Sequence, residues 1–227
     1  MAHSFTLTNS VARITLDDGK VNALSSEALG FITASLAEAS ASGAPTLLSG
    51  RPGIFSAGFD LKELGGESAQ ARSLLQAGVD AILAILRHPR PVLTVCTGHA
   101  YPMGAFLMLA SDLRLAADGP FRIGLNETAI NMAVPEFALA LARSRLEAAA
   151  RTNISVARMF TPQDASQAGY VDMVVSPDQL GERAEAEMEA LCNLNMAAFA
   201  DTKARLNAGV IRDVLAAGLP RQRVEAG

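Results

Sequence analysis

Apolar and polar residues alternate at the start of the chain. Phe5 and Leu7, then Val11, Ile14 and Leu16, mark two short strands around Asn9-Ser10, the pattern of a half-buried ribbon. Asp17-Asp18-Gly19-Lys20 reads as a turn. Val21-Asn22-Ala23-Leu24 then leads into a helix on which Ala28, Leu29, Ile32, Leu36 and Ala39 share one stripe. Gly43-Ala44-Pro45 breaks that helix, and residues 46–49 read as a short buried strand. A Gly-rich loop at 51–58 and a long helix carrying Leu75, Val79, Ile82, Leu83 and Leu86 repeat the rhythm. His88-Pro89-Arg90-Pro91 stops this second helix; 92–96 is a strand, 98–104 a turn, and 105–110 the beginning of a short apolar helix. Strands follow at 112–116 and 121–123, and from Ala133 the pattern is mostly helical, with a short strand at 171–175. Strand–strand–helix units in this order predict an α/β domain with a helical C-terminal portion.

Composition narrows the function classes. A chain of 227 residues makes one large domain, or one with a small appendage. It is 50% hydrophobic and 19% charged, so it has apolar surface to hide, in a core or against copies of itself. Lys and Arg number 19 against 23 Asp and Glu, a net charge of −4 that argues against a nucleic-acid module with its basic stripe. The two cysteines, Cys96 and Cys192, make neither a disulfide framework nor a zinc spacing. His3, His88 and His99 have no metal-ligand spacing, and no metal is expected. No basic start leads into an apolar run, and no apolar stretch approaches the roughly 18 residues of a membrane span, so a cytoplasmic protein without membrane contact is expected. The chain contains no GxxxxGK[ST], no GxGxxG opening a helix, no GxSxG and no HExxH, which removes most support for the chemistries those motifs serve.

Three segments carry candidate chemistry. Ile54-Phe55-Ser56-Ala57-Gly58-Phe59-Asp60-Leu61-Lys62 places small residues between a strand and a helix, leaving backbone N–H groups to face a ligand as an oxyanion site requires; it also reads as a turn with Asp60 as helix N-cap. Gly98-His99-Ala100-Tyr101-Pro102-Met103-Gly104-Ala105-Phe106 is again strand, turn and helix start, with unpaired N–H groups suited to an anion, or simply a tight packing turn. In Gly124-Leu125-Asn126-Glu127-Thr128, the carboxyl of Glu127 stands among Phe121, Ile123, Leu125, Ile130 and Met132. Apolar surroundings raise a carboxyl pKa towards neutrality, as a general base needs; the plainer reading is a surface glutamate in a loop.

Taken in order, these segments resemble the crotonase (enoyl-CoA hydratase/isomerase) superfamily. The resemblance runs from the N-terminal ribbon to Val175 and includes Val21-Asn22-Ala23-Leu24, Asp164-Ala165 and Ala168-Gly169-Tyr170-Val171-Asp172. It implies a crotonase-like spiral of ββα units over residues 1–175 that holds the acyl-CoA site. Residues 176–227 would be a C-terminal helical region mediating a homotrimer or hexamer. The shared chemistry it implies is stabilisation of a thioester enolate by two backbone N–H groups. By position these fall on Ala57 and on Met103, where relatives usually have Gly, with Gly104 as neighbour. Ala23, Ser56, Gly58, Phe59, Asp60, Leu61, Lys62, Gly104, Phe106 and Asn126 would line the substrate and CoA.

The same resemblance separates two activities. Hydratases of the family hold a water between two glutamates; one of those positions is Phe106 here, which cannot activate water, and the other is Glu127. Ile123-Gly124-Leu125-Asn126-Glu127-Thr128 looks specifically like the Δ3,Δ2-enoyl-CoA isomerases. The implied reaction is a 1,3-proton shift on a 3-enoyl-CoA thioester, with Glu127 as the only acid/base and no cofactor. Glu136 falls where some relatives place a second acidic residue near the acyl chain, and Pro135-Glu136 also reads as a helix start. Alternatives within the superfamily are hydration assisted by Glu136, thioester hydrolysis and dehalogenation; from a different class, a catalytically idle binding protein.

Overall fold

The computed structural model describes residues 3–66 and 68–218. Strands β1 (Ser4–Thr8) and β2 (Val11–Leu16) form the expected antiparallel ribbon, turning at Asn9 and Ser10 with φ of 51° and 61°. The two-residue strand β3 (Ala23–Leu24) precedes helix α1 (Ser26–Ala41), whose N-cap Ser25 accepts the Ala28 N–H and whose buried face is the stripe read from the sequence.

The rest of the spiral is a repeat with a division of labour. β4 (Thr46–Gly50), β7 (Val92–Cys96) and β9 (Leu113–Ala117) are the first strands of successive units. They join a six-stranded sheet of order β1-β2-β4-β7-β9-β12, where β12 is Met173–Val175; every pairing beyond β1–β2 is parallel. The second strands of the same units are β5 (Gly53–Ser56), β8 (Gly98–Ala100) and β10 (Ile123–Gly124). They form a smaller sheet, β11-β10-β8-β5, in which β11 (Met159–Phe160) is the antiparallel member. β3 pairs in parallel with β6 (Gly58–Phe59).

Helices α2 (Leu61–Leu64), α3 (Ser68–Arg87), α4 (Pro102–Ala110) and α5 (Glu136–Arg145) follow the second strands, with a 3-10 turn at Glu127–Ile130. After α6 (Ala148–Thr152) and α7 (Pro162–Ala168) come α8 (Leu180–Cys192) and α9 (Met196–Ala217).

Side-chain alternation across the large sheet fixes two layers. Leu48, Val92, Cys96 and Ala116 face the main core, while Leu47, Leu93, Val95 and Leu115 pack against Leu180, Ala184 and Met188 of α8. Helix α9 lies on α3 and α5 and sends Val210 and Val214 into that main core. The Lys203 Nζ reaches Asp112 at 2.6 Å, and Asn207 donates to the Leu86 carbonyl at 3.0 Å. The helical region predicted at 176–227 therefore shares its core with the spiral; its last residues, 219–227, lie outside the described residues.

Differences from the sequence reading have local causes. The loop expected at 51–58 contains β5 and the first residue of β6, because its backbone pairs with β8 and β3. The turn at 98–104 contains β8 and the first turn of α4, which Pro102 starts three residues early, its missing N–H being no loss at N1. The strand at 121–123 is confined to 123–124, and the one at 171–175 to 173–175. On α3 it is Leu74 that is fully buried, with Leu75 only half so.

Candidate active site

Strands β5, β8 and β10 run parallel and adjacent, so the loops leaving their C-terminal ends emerge together, the usual place for a ligand in an α/β protein. These loops are the three segments singled out in the sequence. The first two are in close contact. A Cβ placed on Gly58 would stand 3.5 Å from the Pro102 nitrogen and 3.7 Å from the Met103 nitrogen, and one on Gly104 only 2.9 Å from the Ser56 Cβ. Gly58 also has φ of 90°, a conformation only glycine adopts freely.

Backbone donors in the first loop are mostly committed. Ala57 N–H donates to the Val21 carbonyl at 2.9 Å, which removes it as the anion donor expected from the sequence. Gly58 N–H goes to Ser56 Oγ at 3.0 Å, and Asp60 N–H to the Leu24 carbonyl at 3.0 Å. Because Leu24 is paired with Phe59 and bonds the residues flanking it, the Phe59 N–H is directed away from β3.

In the second loop, Ala105 N–H closes the first bond of α4 to the Tyr101 carbonyl at 3.0 Å. Pro102 has no N–H, and Tyr101 supplies no side-chain cap, so Met103 and Gly104 hold the orphan donors of this helix start. Met103 takes an ordinary negative φ, so a side chain in place of Gly costs nothing in backbone strain there.

Glu127 opens the 3-10 turn after β10 and is 5% exposed. Neither carboxyl oxygen has a hydrogen-bond partner among the described residues. Burial pushes its pKa up to about 7, against a small opposing contribution from a backbone N–H. The carboxyl is buried and not on the surface, although Ile130, one of its apolar neighbours in sequence, is 42% exposed. Phe106 is fully buried, edge-to-face with Phe137 at 5.8 Å between ring centroids.

The other predicted residues divide by what they touch. Asp60 caps α2, accepting Lys62 N–H at 2.8 Å. Ser56 is fully buried, with Oγ donating to the Asn22 carbonyl and accepting from Gly58; its hydroxyl fastens the loop and does not face a ligand, correcting its place among substrate contacts. Leu61 and Lys62 are exposed on α2, and Ala23 and Asn126 are half-buried beside the site loops. Glu136 begins α5, is exposed, and pairs with Arg143. His99 accepts Arg122 N–H at 3.1 Å and packs on Phe121.

Sequence reasoning missed two organising residues. Asn22, fully buried at φ 52°, donates to the carbonyls of Leu16, Ile54 and Phe55 and accepts Asp18 N–H, so it ties β2 to the first loop. Its signal was an Asn after a turn, a residue tolerant of left-handed geometry. Glu63 accepts from both the N–H and Oγ of Ser26, at 3.0 and 2.7 Å, tying α2 to the start of α1. Two surface cavities, of about 490 and 190 Å³, lie between β12 and α8 and beside Lys203 under α9.

Comparison with known proteins gives a consistent picture. A sequence model of the family described as Enoyl-CoA hydratase/isomerase matches residues 6–223. Human mitochondrial enoyl-CoA delta isomerase 1 is 32% identical over 180 residues, covering 78% of this chain and 58% of the human protein, so the match spans somewhat over half of that relative. A probable enoyl-CoA hydratase of Mycobacterium avium is 31% identical over 170 residues, covering 73% of this chain and 65% of that protein. Among solved structures, an enoyl-CoA hydratase/isomerase family protein of Pseudomonas syringae superposes with a TM-score of 0.93 at 38% identity, covering 95% of this chain and 94% of that one.

Proposed function

Because the chain belongs to the enoyl-CoA hydratase/isomerase family and has the crotonase fold, we propose that it moves the double bond of a 3-enoyl-CoA thioester to the 2-position. The observation that carries this reading is Glu127: one buried carboxyl, unpartnered, poised near pH 7, on the loop beside two helix-start N–H donors. A group with that pKa both takes and returns a proton at neutral pH.

In this reading the thioester oxygen sits between the N–H groups of Phe59 and Met103, with Gly104 beside them; Phe59 replaces Ala57, whose donor is spent on Val21. Glu127 removes a proton from C2, the dienolate charge is held by the two N–H groups, and protonated Glu127 delivers the proton to C4. One such donor contributes roughly 10²–10³-fold to kcat. Leu61 and Lys62, exposed on α2, run along the CoA, with Ala23, Gly58 and Asn126 framing the bound thioester.

Hydration is the weaker reading. Phe106 lies in the core against Phe137, and the Glu136 carboxylate is engaged by Arg143 on the surface. No cofactor enters the reaction. The exposed Leu194, Leu206 and Leu215 of the C-terminal region support assembly into a homotrimer, or a hexamer of two trimers. No helix among the described residues is long and apolar enough to cross a membrane.

The test is product identity. Offered 3-enoyl- and 2-enoyl-CoA thioesters of several chain lengths, the protein is expected to convert the former to 2-enoyl-CoA and to add water to the latter far more slowly. A 3-hydroxyacyl-CoA as the main product from either thioester would replace isomerisation with hydration.

A further inference from the structure

Helix α3 carries a glycine in its middle, Gly78, and buries it. Glycine in a helix interior is less stable than alanine, so a buried one calls for a packing reason. A Cβ on Gly78 would stand 2.8 and 2.9 Å from Cζ and Cε1 of Phe59 and 3.3 Å from the Met103 sulfur. By contrast, a Cβ on Gly30 of α1, on Gly181 of α8 or on Gly209 of α9 would meet nothing within 4 Å.

In the proposed reaction the N–H groups of Phe59 and Met103 hold the thioester oxygen, so the side chains of both donors converge on one point of α3. Phe59 is half-buried against the main core and Met103 is fully buried. Phe59 has the slighter backbone support, because β6 is two residues long and pairs with β3 alone. A phenyl ring is rigid. A methyl at position 78 can therefore displace it only by turning the whole side chain or by moving the backbone that carries the N–H.

We propose that Gly78 is a positioning residue: its missing side chain admits the Phe59 ring beside the Met103 sulfur and so sets the spacing of the two N–H donors. The role rests on those donors holding the thioester oxygen. Such donors act by being aimed in advance at the developing charge, and a misplacement of about 1 Å costs on the order of 10²-fold in rate.

Gly78→Ala tests this, with Gly30→Ala as the control for a methyl added to a helix. In Gly78→Ala, kcat for 3-enoyl-CoA is expected to fall about 10- to 100-fold with KM within about twofold, while Gly30→Ala leaves both unchanged. Adding Phe59→Leu, which keeps the N–H and shortens the side chain that the methyl meets, should recover most of the loss, a coupling that independent sites do not show. A folded Gly78→Ala with wild-type kcat, or a loss that Phe59→Leu leaves in place, overturns the proposal. If Gly78→Ala does not fold, the double variant decides: folded with kcat near wild type it supports the proposal, and unfolded it overturns it. The enolate of a bound 3-oxoacyl-CoA thioester, read by its near-ultraviolet absorbance, follows the same donors without any double-bond shift. It should weaken in Gly78→Ala and return in the double variant. Wild type that forms the enolate but moves no double bond would end the isomerase reading and leave Gly78 to be judged on the enolate; wild type that forms neither product nor enolate would overturn both.

Discussion

The carboxyl of Glu127 is maintained at a cost to stability, and that cost has a pH signature. Folded, it holds its proton to about pH 7; unfolded, it releases it near 4.5. Between those values the native chain binds more protons, so this group's contribution to stability is complete below about 4.5 and is lost as pH rises through 7. The shift corresponds to about 3 kcal/mol. Glu127→Gln should therefore unfold at higher urea than wild type at pH 8, and the gain should vanish at pH 4; an equal gain at both would mean that desolvation is not what burdens the site. The residue scale also shows where sequence is legible. Glu127 could be singled out because it is the one ionisable residue of the segment 123–128. The anion donor could not, because which N–H of Ser56-Ala57-Gly58-Phe59 is free depends on a register with Val21 and Leu24, set more than thirty positions away.

Elements were legible where they are long and periodic. Helix α1 announces its buried stripe, and β7 its unbroken apolar run, because each repeats one period over several residues. Strands of two or three residues, such as β6, β8 and β10, have no period to detect and exist only through their partners. The hold of α9 was equally invisible, since it depends on single polar contacts. Lys203 is 5% exposed and meets Asp112, which also accepts Val92 N–H at 2.8 Å. Burial lowers the Lys203 pKa and Asp112 opposes that, as expected of an ion pair kept out of water. Lys203→Met leaves the part-buried Asp112 without its cation and should lower unfolding free energy by about 3 kcal/mol in urea titration. Adding Asp112→Asn, which keeps an acceptor for Val92, should recover most of it; no recovery would show that packing of α9, and not the charge, is at stake.

At the scale of the whole molecule, the ββα repeat explains why three distant segments form one site. After the β1–β2 ribbon, three successive units give their first strand to the large sheet and their second to the small one, and the parallel second strands release their loops at one edge. Order along the chain thereby becomes adjacency in space. That is why the family could be read from short motifs, while the packing of α8 on the large sheet and of α9 into the main core could not. It also makes Glu127 the one ionisable side chain with both oxygens buried and unpartnered among the described residues. The proposed reaction turns on that carboxyl taking the C2 proton. The most direct measurement is the rate of 2-enoyl-CoA formation from 3-enoyl-CoA by wild type and by Glu127→Gln at pH 8. A loss of roughly 10²–10⁴-fold in kcat with a folded variant is predicted; equal rates in the two proteins would contradict it.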